Sequence, residues 1–268
     1  MDDTAVPRGA NPRPTGRARP KRRASVVGVL GELLITIGAL TLMYVVWQLW
    51  VGDWIYAAER SAEAKSLSQQ WQQEYEEQVA ASPSPPAPAE TPAEPAPVTA
   101  DPVILPQPDD AQIFGTMYIP RFGADYGVAI AGGISRARTL DPIGIGHYPG
   151  TPMPGEVGNF AVAAHRTTWG KPFNRIAELR VGDAIVVETP GGWYTYRFRT
   201  LEYVQPDAVD VLLPVPQAPG AEPGERYLTM TSCSPMFSMT ERIVAYSVFD
   251  AFTPRSAGPP AALTEGVA

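Results

Sequence analysis

Cys233, in the run YLTMTSCSP at 227–235, is the only cysteine of the 268-residue chain, and His147 and His165 are its only histidines. Strand alternation places Tyr227, Thr229, Thr231 and Cys233 on one face of that run, and Leu228, Met230 and Ser232 on the other. His165 ends the apolar run NFAVAAH, and Arg242 opens RIVAYSVF a short loop after the cysteine. Three reactive side-chain types therefore stand at strand ends, where a rigid scaffold hands over to loops. Sharing one rim, they would support acyl transfer. A thiol ionises near a pKa of roughly 8.5, and a neighbouring imidazolium or guanidinium favours the thiolate. The thiolate attacks a carbonyl, His165 protonates the leaving amine, and an arginine that keeps its proton holds the oxyanion. The product is a thioester.

Each residue also has a plain structural reading. A free cysteine behaves as a small buried hydrophobe. His147, in the loop-like GIGHYPGT, would hydrogen-bond backbone, and Arg242 would pair with Glu241 at the surface. Spacings of 18 and 68 residues between the two histidines and the cysteine match no compact zinc motif, so no metal is expected. The thioester chemistry calls for no cofactor.

The elements that must position these residues are mostly strands. FGTMYIPR, GVAIAGG, NFAVAAHR, DAIVVET, WYTYRFRTLEYV, RYLTMTSC and RIVAYSVFDAF are short β-branched and aromatic runs, punctuated by Gly and Pro. RARTLDPIG and PFNRIAEL predict single helical turns. Residues 111–252 therefore read as one mainly β domain, a closed antiparallel barrel or a sandwich. A disordered tail is expected over 253–268.

The segments before the domain bear on its compartment. Residues 1–25 form a basic tail, and residues 26–54 contain the uncharged run Leu33–Val51. At about 1.5 Å per residue that run reaches about 28 Å, a bilayer's hydrocarbon thickness. Trp47, Trp50 and Trp54 at its far end and the basic residues at its near end predict a single-pass anchor, N-terminus in the cytoplasm and C-terminus outside. A cleaved signal peptide, with SAEA at 61–64 as its site, fits less well because the apolar run is too long. Residues 55–80 predict an exposed helical stalk with Leu67, Trp71, Tyr75 and Val79 at steps of four. Residues 81–110 are Pro-rich and predict an extended linker. The net charge of −7 is carried mostly by these connectors: residues 32–110 hold twelve acidic and two basic side chains, residues 111–252 thirteen and eleven. No nucleic-acid surface is expected, and the basic tail suits anionic membrane lipid. In an exported domain a single leftover cysteine points either to pairing between molecules or to a reactive thiol.

Taken together, YLTMTSCSP, AAHRTTWGKPF, GHYPGTPMPGEVGNFAVAAH and ERIVAYSV resemble the sortases, membrane-anchored cysteine transpeptidases of Gram-positive bacteria. HRTTWGKPF and the Pro-rich segment before the domain look most like the class E sortases of actinobacteria. The family's Thr-Leu-x-Thr-Cys stands here as Thr229-Met230-Thr231-Ser232-Cys233. The resemblance implies an eight-stranded sortase β-barrel with short helices, with Cys233, His165 and Arg242 as its catalytic residues. It implies Thr231, Ser232, His147, Asn159 and Trp169 as substrate-binding or supporting positions. It further implies cleavage of a Leu-Ala-x-Thr-Gly or Leu-Pro-x-Thr-Gly sorting signal between Thr and Gly. The partners would be surface proteins bearing that C-terminal signal, and a peptidoglycan precursor or pilin amine as acceptor. Two alternatives stand beside it: an L,D-transpeptidase-like enzyme, whose usual His-Gly-Cys-Arg-like run TSCSP lacks, and a non-catalytic anchored binding module with a structural cysteine.

Overall fold

The computed structural model describes residues 25–47, 52–81 and 100–267. The basic tail before Ser25, the side chains of Trp50 and Trp54, and linker residues 82–99 lie outside them. The chain divides into two compact units, Met1–Val46 and Trp47–Ala268.

The first unit contains helix α1, Val26–Val46, with a mean hydropathy of 2.1, long and apolar enough to cross a membrane. Ser25 caps it, accepting from the Gly28 amide at 3.1 Å. Thr36 and Thr41 return their hydroxyls to the carbonyls of Glu32 and Ile37, so neither side chain needs water.

The second unit is a closed eight-stranded barrel. Its strands are β1 (Ile113–Tyr118), β2 (Val128–Gly132), β3 (Ile145–His147), β4 (Gly158–Ala164), β5 (Ala184–Thr189), β6 (Gly192–Val204), β7 (Arg226–Ser234) and β8 (Glu241–Pro254). They close in the order β1-β2-β3-β4-β7-β8-β6-β5. Closure removes every exposed edge. The β2–β3 and β4–β7 pairs are parallel and the others antiparallel. Alternating residues such as Ile130, Phe160, Val162, Ile185, Leu228 and Met230 point inward and form the apolar core.

His147 belongs to that core. It is 1 % exposed, between the rings of Phe114 and Phe160, with Nε2 facing the Thr151 hydroxyl at 2.9 Å and the Pro152 carbonyl at 3.2 Å. A carbonyl only accepts, so Nε2 carries the proton. Burial pushes the imidazole below its ordinary pKa.

Three segments expected to stand clear of the barrel lie on it instead. Residues 100–110 are extended, but Leu105 packs on the core, Gln107 donates to the Thr151 carbonyl at 2.8 Å, and the Val103 carbonyl accepts from Tyr194. Where disorder is expected over 253–268, β8 runs on to Pro254. Short turns follow at Arg255–Ala257 and Ala261–Leu263, and Ala262 is buried with Ala184, Val186 and Trp193. The predicted stalk is helix α2, Gly52–Ala81, and it is docked rather than free: Arg60, Ala64 and Trp71 are buried, whereas Val79 is exposed. The helix comes close because Gly127 has no side chain, and a Cβ there would sit 3.1 Å from that of Ala64.

Glu188 joins these additions. It is 1 % exposed and accepts from Ser68 of α2 and Tyr118 of β1, each at 2.9 Å, and from Arg255 of the tail at 3.0 Å. Arg255 also donates to the Pro190 carbonyl and lies 4.7 Å from the centre of the Trp193 ring. Removing one partner of such a buried pair strands the other's charge.

Arg255→Met should therefore cost about 3–5 kcal/mol in chemical denaturation followed by tryptophan fluorescence. Lys65→Met, which breaks only the exposed pair with Asp125, should change little. Because His147 stays neutral in the fold below its ordinary pKa of 6.5, the unfolded chain binds more protons there. Stability should be complete above that pH and fall as the pH drops below it towards the folded value. His147→Gln should flatten this part of the stability profile, and an unchanged profile would show that other groups carry it.

Candidate active site

The site follows from strand direction. β4 and β7 are parallel, with Ala161 opposite Thr229 and Ala163 opposite Thr231, so both point their C-terminal ends at one rim. His165 follows the end of β4, and Cys233 lies two residues beyond Thr231. β8 returns antiparallel from the same rim, placing Arg242 directly opposite Cys233. The three residues line one groove of about 550 Å³, together with Tyr148, Thr231 and Ser232.

The backbone around the thiol is held on both sides. Ser232 donates to the Ala164 carbonyl at 2.7 Å, and Thr231 bonds Tyr148 Oη at 2.9 Å and the Val162 carbonyl at 3.3 Å. Both hydroxyls thus stitch β7 to its neighbours. Cys233 is half-buried and unpaired, and its carbonyl accepts from Arg166 at 3.3 Å. The His165 carbonyl accepts from the Phe173 amide at 3.0 Å, and the Arg166 carbonyl from Asn174 at 2.9 Å, which pins the loop after β4.

His165 Nε2 lies 2.6 Å from Asp141 Oδ1. A carboxylate can only accept, so Nε2 is the donor and Nδ1 is left to take up and release a proton. Arg242 donates to the carbonyls of Met239 at 3.0 Å and Glu241 at 2.9 Å, so its contact with Glu241 is through the backbone. Three arginines line the groove with His165: Arg136, Arg166 and Arg242. Such a lining favours negative charge developing on a substrate oxygen. Around it stand Ile134, Leu140, Phe237 and Met239, the last two 78 % and 67 % exposed.

Three of the supporting positions lie elsewhere. His147 is a core residue, as described above. Asn159 is fully buried near the far end of β4, about 20 Å from His165 at roughly 3.3 Å per residue, where it donates to Val211 and Leu213 and accepts from Thr229. Trp169 follows His165 in sequence but takes a left-handed backbone angle (φ +54°) and packs against Tyr56 of α2. Sequence reasoning missed Asp141, Arg166 and Tyr148. The separation of 24 positions from Asp141 to His165 carries no spacing signal, and only the fold brings them together. Among the described residues no group of three or more His, Cys, Asp or Glu is placed to hold a metal ion.

A family model for the sortase domain matches residues 117–249. Sortase SrtE1 of Streptomyces coelicolor is 34% identical over 254 residues, 92% of this chain and 64% of that protein. The chain thus spans a little under two thirds of that relative. Among solved structures, sortase E1 of Streptomyces coelicolor with a tripeptide in the active site is 40% identical and superposes with a TM-score of 0.53 over 57% of this chain and 97% of that one. The SrtA sortase from Actinomyces oris is 34% identical, with a TM-score of 0.58 over 61% and 94%. The matched region contains the barrel strands that bring Cys233, His165 and Arg242 to one groove, and the chain belongs to the sortase family.

Proposed function

We propose that the protein is a membrane-anchored cysteine transpeptidase in which Cys233 is the nucleophile, His165 the general acid and base, and Arg242 the substrate-binding and oxyanion-stabilising group. The observation that carries this reading is the register: Cys233 lies opposite Arg242 across β7–β8 and on the strand beside His165, at the rim of a peptide-sized groove. The solved relative with a tripeptide in its active site supports a peptide substrate.

The Cys233 thiolate attacks the carbonyl carbon between Thr and Gly of a C-terminal sorting signal. Arg242 faces the oxyanion as negative charge moves onto the carbonyl oxygen. Collapse breaks the C–N bond, His165 gives its proton to the departing Gly amine, and a thioester remains on Cys233. An amine from a peptidoglycan precursor or a pilin subunit then attacks the thioester. It loses its proton to His165, and the thiolate leaves. Water in place of the amine gives hydrolysis. The favoured signal is Leu-Ala-x-Thr-Gly over Leu-Pro-x-Thr-Gly, and the apolar side chains around the groove suit its leucine. Thr231 and Ser232 act by holding β7 and its neighbours in place around the thiol. Helix α1 serves as the single-pass anchor, its N-terminus cytoplasmic, with the barrel outside the cell.

Intact mass spectrometry of the protein with each peptide tests the reading. The mass should rise by the fragment ending in Thr, in wild type and not in Cys233→Ala, and fall back when an amine is added. Arg242→Lys should lower turnover about 10²-fold, since an ammonium lacks the planar fork. Rapid iodoacetamide labelling of Cys233 without peptide addition would mean that the substrate class is different.

A further inference from the structure

Helix α2 reaches the active site through one buried side chain. Arg60 is 5 % exposed and donates from Nη2 to the backbone carbonyl of Asp141 at 2.8 Å, across 81 residues of sequence. Its Nε and Nη1 are buried with no hydrogen-bond partner among the described residues. Burying a cation for one carbonyl is costly, and desolvation lowers the pKa of Arg60 despite nearby carboxylates. The fold makes room for it: a Cβ at Gly144 would lie 2.6 Å from Nη1, and one at Gly170 2.9 Å from Nε. Both glycines have positive φ, where side chains are disfavoured in any case.

At Asp141 the contact has a direct consequence. The Asp141 amide is tied to the Arg136 carbonyl at 2.8 Å and its own carbonyl to Arg60, so both backbone groups are held. Its side chain then meets His165 Nε2 at 2.6 Å, while the competing Arg136 stands 3.8 Å away and mostly exposed.

We propose that Asp141 is a positioning residue for His165 and that Arg60 holds Asp141 in that pose, so that α2 is part of the catalytic apparatus rather than a spacer. The proposal rests on the assignment of His165 as general acid and base. The carboxylate keeps the proton of the ring on Nε2 and directs Nδ1 to the chemistry. Small displacements of a proton-transferring group cost rate far more than affinity.

The test uses the full-length chain in detergent and the sorting-signal peptide. Asp141→Ala should lower kcat by about ten- to a hundredfold with KM within about twofold, and Asp141→Asn, which keeps the acceptor oxygen, should recover part of the loss. Arg60→Met should lower kcat by about three- to tenfold without a matching fall in thermal stability. The double variant should be no slower than Asp141→Ala, because the two residues act in series. Additive losses, or an equal rise in KM, would overturn the proposal. An independent readout is the imidazole N–H of His165, which a 2.6 Å hydrogen bond to a carboxylate moves far downfield in proton spectra. That resonance should vanish in His165→Ala and Asp141→Ala and be displaced in Arg60→Met. If it is missing from wild type or unmoved in Arg60→Met, the linkage is wrong. If wild type forms no thioester while the resonance responds as stated, the linkage stands and the assigned reaction fails.

Discussion

The site depends on the parallel pairing of β4 with β7. A hairpin would send one strand's end to each side of the barrel. Parallel strands bring both C-terminal ends to one rim, and they need a long crossover to do it. Here β5 and β6 occupy that crossover, so the pairing that juxtaposes His165 and Cys233 also requires the barrel to close around them. Arg242 then comes from the short turn into β8. A one-residue slip of β7 would turn Cys233 to the opposite face, so register and chemistry are one constraint.

Buried polar groups hold that register in place. Asn159 takes a hydrogen bond from Thr229 on β7 and gives two to the carbonyls of Val211 and Leu213, which belong to the connection running back from β6. It supports the site from the far end of β4 by fixing both a strand pair and the crossover. Thr231 and Ser232 do the same beside the thiol, each spanning from β7 to β4. Breaking such bonds leaves orphaned buried groups, and a shifted register has no substitute partners for them.

Much of this was legible in the sequence. Seven of the eight strands stand out as β-branched and aromatic runs, and Cys233, His165 and Arg242 stand at the ends of three of them. The strand missed, Ile145–His147, is three residues long and flanked by glycine, too short for periodicity to register. The outer segments misled for a different reason. Pro-rich and polar composition reports that a stretch cannot build its own core, and residues 100–110 and 253–267 do not; they lie on a core that already exists. For α2 the apolar stripe at steps of four found part of the docked face, since Trp71 is buried and Leu67 and Tyr75 are half-buried, but it ran on to exposed Val79. It missed Arg60 and Ala64, because a cation and a small residue are hidden from a count of large apolar side chains. Asp141 was invisible because nothing local links a turn residue to a histidine on another strand.

The composition of that docked face says how firmly α2 can be held. At about 1.5 Å per residue its 30 residues extend about 45 Å, yet Ala64 and Trp71 are the apolar side chains it buries among its described residues. Much of its attachment is polar: Ser68 to Glu188, Lys65 to Asp125, and Arg60 to the Asp141 carbonyl. An exposed pair such as Lys65–Asp125 contributes little in water, so affinity rests on Trp71, on the close approach at Gly127, and on bonds already buried. A helix attached in this way is specific in position and modest in strength. Arg60, the charged side chain it buries among its described residues, is also the one that touches the backbone behind the site histidine. That single bond both attaches the helix and ties it to the backbone that carries Asp141.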